Sequence, residues 1–380
     1  MSRKKILFIC TDPASGMLPY AGKIINTLVD SDNDYEFFGL FLNKGEFSYE
    51  KYIETKSKFK KMVFLNSSVN KIPSFVNKIL PIKIYLEIIK LCHSNKIDIV
   101  HCLTTEFCLG NFLYLLQSKY KILYTVHDLY PHANSNLDLK SKVISKIIDR
   151  GVRLNIKRLK ILITSSKAQF NILESRYPNK YIYYHPFPSL VTNAIKKGSS
   201  TCPELNGINK YILFFGRLET YKGVEILYNA FLKDNYLRNN YHLVIAGVGH
   251  LYFPTRIDEE KVIKINRFID ENEINKLFEN ADCVVYPYSS ATQSGVLSIA
   301  YKFLTPTVIS NVDYFLENAI IDKSAYVFEN GDIQSLINAI TKAVNSKNNK
   351  ERIASQIFEY NELYSDETLL NSMNHIYESI

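Results

Sequence analysis

Arg217 and Lys222 stand five residues apart in the run YILFFGRLETYKGVEILYNAF, residues 211–231. An apolar strand runs into Gly216, a short loop carries both cations, and Gly223 precedes a new helix. Glycine permits tight turns, a helix N-terminus attracts anions, and two cations at this spacing can converge on a diphosphate. The plainer alternative is a strand-to-helix loop with two solvated charges. A second run, ADCVVYPYSSATQSGVLSIAYKFLTPTVIS, residues 281–310, ends a strand at Pro287 and continues through small residues with Thr292 and Gln293. It opens a helix at Ser294, Gly295 and Val296 that closes before Pro306. The N–H groups of that helix start could hold a phosphate or sugar hydroxyls, or the segment is ordinary strand-to-helix punctuation.

In the N-terminal half, KILYTVHDLYPH places His127 and Asp128 just past a strand, where ligands gather in open α/β sheets. A capped turn is the alternative for that pair. The loop TDPASG, residues 11–16, follows the first strand in the same way and contributes Ser15 and Gly16. Asp30 to Asp34 has the spacing of a metal-binding DxD element but follows a helix, and reads as a solvated loop. His101 and Cys102 end a strand, with no second pair at zinc spacing. No metal and no other cofactor is expected.

Elements able to position these residues recur along the chain. KKILFIC, YEFFGLFL, DIVHC, KILYTV and LKILITS alternate with helix-length amphipathic segments such as Leu18 to Val29. That alternation predicts a parallel sheet covered by helices. The chain turns polar and collects Gly, Ser and Pro from Val191 to Lys210, the expected domain boundary. The pattern then restarts with YILFFG, YHLVIAG, KVIKI, DCVVYPY, TPTVIS and AYVF, and ends in helical segments Glu351 to Leu363 and Glu367 to Tyr377. The predicted division is an N-terminal domain over 1–195, a C-terminal domain over 196–365, and a closing helix over 366–380.

A length of 380 residues suits two such domains, and 46% hydrophobic with 22% charged residues suits a globular protein rather than a disordered one. The opening apolar run is short and followed by Asp12, so it reads as a strand, not a signal peptide. No apolar stretch approaches the roughly 18 residues of a membrane span, leaving only peripheral membrane contact. Six cysteines without a CxxC pair suit reduced thiols in the cytoplasm. Residues 1–200 carry 30 Lys+Arg against 15 Asp+Glu, whereas residues 201–380 carry 16 against 23. A half with net +15 points to an anionic surface or partner. The best candidate is the basic amphipathic segment 138–160, with Lys140, Lys142, Lys146, Arg150, Arg153, Lys157, Arg158 and Lys160 among Val143, Ile144, Ile147 and Ile148.

Four landmarks occur in order: GRLETYKG at 216–223, IAGVG at 245–249, the strand, loop and helix at 281–310, and FENGD at 328–332. In this order they resemble the family-4 glycosyltransferases of the GT-B fold, closely over residues 205–345 and more loosely before. The resemblance implies an α/β architecture of two Rossmann-like domains facing each other across a cleft, with the C-terminal helices returning to the N-terminal domain. It implies transfer of a sugar, with retention, from a nucleotide-diphosphate donor to a glycan or lipid-linked acceptor in polysaccharide synthesis. Arg217 and Lys222 would hold the donor phosphates, Gly247 and Gly249 would lie near the base, and His127 would face the transferred sugar. The loop at Ser15 and Gly16, with Asp128, would lie on the acceptor side.

The chain departs from that family where a Glu-x7-Glu pair is expected, since Thr292 and Ala300 occupy those positions. Thr292, Gln293 and the backbone of Ser294 to Val296 remain as polar donor contacts. The departure keeps two other functions in view, a GT-B sugar-nucleotide epimerase or phosphorylase and a non-catalytic donor-binding subunit. No carboxylate pair of the hydrolase kind is evident, which disfavours a glycosidase. Nucleic acid is not an expected partner, and the expected location is the cytoplasm, peripheral on the membrane's inner face.

Overall fold

The computed structural model describes residues 3–14, 16–31, 34–66, 81–106, 109–129, 139–255 and 259–380, with side chains except at 111 and 139–144. These residues form two compact units. The first holds the described residues up to Pro188 together with Asp366–Ile380, and the second runs from Ser189 to Ser365.

Seven strands build the first sheet: β1 (Lys4–Cys10), β2 (Tyr35–Asn43), β3 (Lys61–Asn66), β4 (Ile99–Cys102), β5 (Lys121–Thr125), β6 (Ile161–Thr164) and β7 (Tyr181–Tyr184). All pair in parallel, in the order β3-β2-β1-β4-β5-β6-β7. β1 is buried on both faces, as the unbroken apolar run of a central parallel strand requires. Ile6, Phe8 and Cys10 enter one core layer with helices Met17–Asp30 and Asp366–Ser379, while Leu7 and Ile9 enter another. That second layer lies beneath helices Ile82–Asn95, Gly110–Leu116 and Leu139–Arg158.

The second sheet has six parallel strands: β8 (Tyr211–Phe215), β9 (His242–Ala246), β10 (Val262–Ile265), β11 (Cys283–Tyr286), β12 (Thr307–Ser310) and β13 (Tyr326–Phe328). Their order is β10-β9-β8-β11-β12-β13. The polar stretch after Val191 forms a short helix, Asn193–Lys197, capped by the Thr192 hydroxyl.

The two C-terminal helices part company. The last, Asp366–Ser379, packs Leu369, Met373, Ile376 and Tyr377 into the first unit's core, where Lys4 Nζ donates to the Tyr377 carbonyl at 2.8 Å. The preceding helix, Lys350–Tyr364, stays with the second unit. Its buried Arg352 donates to the Ser346 carbonyl at 3.0 Å, and Gln356 donates to the Thr305 carbonyl at 2.9 Å. The closing helix over 366–380 is thus the one that packs on the first unit, while Arg352 and Gln356 find their acceptors on the second sheet's loops. The described cysteines, Cys10, Cys92, Cys102, Cys202 and Cys283, are buried free thiols. Among the described residues no helix is long and apolar enough to cross a membrane.

Candidate functional site

Each sheet reverses its strand order once, between β1 and β4 in the first unit and between β8 and β11 in the second. Loops on either side of such a point diverge to opposite faces and leave a crevice at the C-terminal strand ends. In the second unit those loops carry Gly216, Arg217 and Lys222 after β8, and Thr292 to Val296 after β11. Topology therefore brings together two runs that lie some 70 residues apart in sequence.

Lys222 closes a short 3-10 turn, Thr220–Lys222, and is only 7% exposed. Its Nζ donates to the Tyr288 hydroxyl at 2.7 Å and lies 4.3 Å from the centre of the Tyr288 ring and 5.3 Å from that of Tyr221. Among the described residues Lys222 makes no ion pair. The neighbouring Glu219 carboxylate is taken by Arg217, Nη1 to Oε1 3.0 Å. Burial holds the Lys222 ammonium below the ordinary lysine range; the Tyr221 phenol opposes that shift, and the positive charge of Arg217 adds to it. Glu219 opposes the shift as well, but its carboxylate is bonded to Arg217, and a phosphate could give Lys222 a counter-charge of its own. Arg217 is half-exposed and can turn from Glu219 towards the same anion.

Glycines fix the loop. Gly223, at φ 65°, ends the turn and begins the helix Val224–Lys233; a Cβ there would lie 1.8 Å from the Pro287 carbonyl oxygen. Gly247, at φ 143°, backs onto Gly216, whose carbonyl oxygen would be 2.0 Å from an added Cβ. The loops after β8 and β9 are then joined by the Leu218 amide, which donates to the Val248 carbonyl at 3.0 Å. Gly249 donates to Asn266 Oδ1 at 3.2 Å.

Beyond β11, Ser289 ties the two switch-point loops together by donating its amide to the Tyr221 carbonyl at 2.7 Å. The Tyr288 hydroxyl also bonds the Ser294 side chain, so one phenol links Lys222 to the second run. Thr292, Gln293 and Ser294 are half-buried. Gly295 precedes the helix Val296–Lys302, and hydroxyls hold the neighbouring carbonyls: Tyr314 to Ser294 at 2.9 Å, Ser298 to Gly295 at 2.6 Å, and Tyr286 to Val296 at 3.2 Å. Ala300 is fully buried in the core, so that position offers no polar contact. The FENGD landmark resolves into a helix cap, with Asp332 accepting from the amides of Gln334 and Ser335.

In the first unit His127 is buried, its Nε2 donating to the Leu103 carbonyl at 2.9 Å and its ring edge-on to Tyr20. Burial holds its pKa below the usual histidine value, opposed by the Leu103 hydrogen bond and by Asp128. The turn that carries His127 and the half-buried Asp128 is clamped by Gln169, which donates to the His127 carbonyl at 2.9 Å and accepts from the Leu129 amide at 2.7 Å. Gly16 is exposed at the start of helix Met17–Asp30. Ser15 lies outside the described residues, as do Asp32 and Asn33 of the DxD look-alike.

Sequence reasoning did not single out Tyr288, Glu219 or Glu106. Glu106 is 1% exposed, adopts φ 45°, and sits where β1 and β4 meet. A lone tyrosine or glutamate in a loop carries no sequence signal of such a role; only the pairing across strands exposes it.

Residues 203–359 match the family described as glycosyl transferases group 1, a span that contains the loops from Gly216 to Val296 described above. An uncharacterized glycosyltransferase of Methanocaldococcus jannaschii is 36% identical over 115 residues, which span 28% of this chain and 29% of that protein. Among solved structures, Anabaena Alr3699/HepE in complex with UDP and glucose superposes with TM-score 0.70 at 14% identity, over 99% of this chain and 100% of that one. Sucrose-phosphate synthase of Thermosynechococcus elongatus gives 0.69 at 15% identity, over 99% of each chain. Residues 203–359 thus match a glycosyl transferases group 1 domain, and the chain as a whole shares the two-sheet GT-B fold of these structures.

Proposed function

We propose that this chain transfers a sugar from a nucleotide-diphosphate donor, bound by the second unit, to a glycan or lipid-linked acceptor on the first unit's side. The observation that carries the reading is Lys222, a buried ammonium with no carboxylate partner among the described residues at the crevice between β8 and β11. The UDP and UDP-glucose complexes of the Anabaena protein support a nucleotide sugar as donor. Negative charge grows on the leaving diphosphate as the sugar–phosphate bond breaks. Lys222, held by Tyr288, and Arg217, released from Glu219, meet that charge without a metal ion and with little reorganisation. His127, kept neutral by burial, is the first unit's candidate hydrogen-bonding group, a role that rests on the resemblance of the motif landmarks. Retention and a part in polysaccharide synthesis rest on the resemblance of the motif landmarks.

Thermal shifts with UDP, GDP, ADP, CMP and dTDP test the donor reading. A nucleotide at about 100 times its Kd stabilises by about 2.7 kcal/mol, so at least one is expected to raise the melting temperature by several degrees. The reading fails if none does.

The same proposal places the protein in the cytoplasm at an anionic membrane, and the first unit's outer helices support it. Ile82, Leu86 and Ile89 form one exposed stripe on helix Ile82–Asn95, beside the exposed Lys83 and Lys90. Tyr85 of that helix stacks on Phe112 at 4.3 Å, carrying the surface on to exposed Tyr114 and Leu115, and the Arg158 guanidinium lies 5.6 Å over Tyr114. Lys146, Arg150, Arg153 and Lys157 are exposed on the adjoining helix, together with Ile147. The Lys140, Lys142, Val143 and Ile144 side chains of the same segment lie outside the described residues. Each cation near such a membrane adds about 1 kcal/mol, screened by salt. Sedimentation with anionic but not neutral vesicles is expected at low salt, and a Leu86→Glu/Leu115→Glu variant is expected to lose most of it. Equal, negligible binding to both vesicle types would remove the membrane from the proposal.

A further inference from the structure

We propose that Glu106 is a positioning residue of the first unit, whose ionised carboxylate holds the loop leaving β1 in the arrangement that serves the acceptor, and whose protonation releases that loop. The inference rests on the reading that this end of the first unit takes the acceptor.

Position is the first support. β1 and β4 are the neighbours at which the first sheet reverses its order, so their C-terminal ends flank its ligand crevice. Thr11 and Asp12 leave β1 there, and Glu106 follows β4. The Glu106 backbone is left-handed at φ 45°, a conformation that favours glycine or asparagine. Its carbonyl accepts from Asn155 Nδ2 at 3.1 Å and from the Leu109 amide at 3.0 Å, which pins the strained residue in place. A turn alone needs neither a buried carboxylate nor a strained one. Both unfavourable features gathered at one ligand-facing position point to a use for the carboxylate.

The hydrogen bonds define that use. Glu106 accepts from the Thr11 amide at 3.0 Å, from the Thr11 hydroxyl, and from the Thr104 hydroxyl at 2.5 Å. Thr104 Oγ1 in turn accepts from the amides of Thr11, at 3.1 Å, and Asp12, at 3.2 Å. Every group bonded to the carboxylate is thus a donor, and both threonine hydroxyl protons are committed to it. The network is complete only when the carboxylate is ionised. A proton added to one of its oxygens would meet donors there, so the hydroxyl bonded to that oxygen would have to turn and accept instead, weakening the hold on Thr11.

The surroundings set the pH at which this happens. Among the described residues no cation pairs with Glu106. Burial pushes its pKa up to about 7, against the hydrogen bonds from Thr104 and Thr11 that pull it down, while the Asp12 carboxylate pushes it further up. Cys10 of β1, Cys102 of β4, Tyr49 and Tyr124 of β5 also face it, and burial raises the pKa of each and keeps it protonated. Because the folded pKa lies above the unfolded value, the folded protein binds more protons between about pH 4.5 and 7. Lowering the pH through that window therefore increases this group's contribution to global stability while it loosens the loop. Release of the loop is thereby separable from acid unfolding.

Hydrogen exchange of the full chain, followed on the peptide spanning residues 8–20 and corrected for intrinsic rates, tests the proposal. Protection in the wild type is expected to fall several-fold from pH 8 to pH 5.5, with a midpoint near 7 and no parallel drop in melting temperature. Glu106→Gln is expected to show the same protection at both pH values. Thr104→Val removes a bond that lowers the pKa, so its midpoint is expected to move to higher pH; this variant serves if the glutamine variant fails to fold. Flat protection in the wild type, or a pH profile unchanged in either variant, overturns the proposal. The nucleotide-induced thermal shift reports the donor reading separately and is expected to be equal in wild type and Glu106→Gln. A flat profile beside an intact nucleotide shift sinks the latch alone, and the lack of a shift with all five nucleotides beside a normal profile sinks the donor reading alone.

Discussion

Replacing Lys222 by methionine is expected to lower turnover by about 10²- to 10³-fold and to abolish the thermal shift given by the donor nucleotide, the scale seen when one preorganised donor to a developing charge is removed. Methionine keeps most of the apolar stem and deletes only the charge. In the unliganded protein that charge is a liability: it is buried, it makes no ion pair among the described residues, and Arg217 repels it. The variant should therefore melt at or above the wild-type temperature while losing function, the reverse of what a structural lysine would show. Removing half-exposed Arg217 should have a smaller effect, because Glu219 already neutralises it before any ligand arrives.

The pH dependence has a definite sign. Folding depresses the Lys222 pKa, so between that depressed value and the ordinary lysine value of about 10.4 the unfolded chain binds the extra proton and stability rises with pH. A bound diphosphate restores the charged form. Donor affinity is then expected to weaken as pH rises through the free protein's depressed lysine pKa, and the Lys222→Met variant should lack that dependence. Unchanged turnover in the variant, or loss of stability in step with activity, would remove Lys222 from the donor site.

The sequence was readable where burial is symmetrical and opaque where it is not. Central parallel strands such as β1, β8 and β11 are apolar on both faces and stand out as unbroken runs. β3 (KMVFLN) and β7 (YIYY) were not expected; they are the two edges of the first sheet and only half-buried. The cation loop was legible because glycines flank it within eight residues. Its partner was not, since Tyr288 reaches Lys222 across 66 residues and nothing in PYSS marks the phenol as a lysine acceptor. The same limit hid Glu106, 95 residues from Thr11. His127 was legible as a strand-end residue, but its bond to the Leu103 carbonyl depends on the adjacent strand, which no local pattern encodes.

Where the pattern departed from the resembling family, the structure adds a physical reason. Ala300 lies in the packed core beneath the second crevice, and a glutamate there would bury a charge with no partner. The polar contacts at the crevice between β8 and β11 therefore come from residues held from elsewhere: Tyr288 between Lys222 and Ser294, and Ser289 joining the two loops. A crevice built on one lysine and one tyrosine depends heavily on the backbone that sets their distance.

That dependence makes Gly223 the position where a single methyl group should do most damage. It is left-handed at φ 65°, and an added Cβ would lie 1.8 Å from the Pro287 carbonyl oxygen and 2.9 Å from its carbon. Both contacts are with backbone, which cannot swing aside as a side chain could. Relief requires the loop after β11 to retreat, and with it Tyr288, the acceptor for Lys222. Gly331 provides the control, since it is also left-handed, at φ 88°, but has nothing within 4 Å of an added Cβ. Gly331→Ala should lose only the conformational term, about 1–2 kcal/mol. Gly223→Ala should lose on the order of 3–5 kcal/mol, the range of a severe backbone clash. For a unit of this size that difference corresponds to a further fall in melting temperature of roughly 2 to 16 °C. The nucleotide-induced shift should vanish in Gly223→Ala and survive in Gly331→Ala. If the two alanine variants melt together and bind nucleotide alike, the close approach of the two switch-point loops is not what holds the donor site.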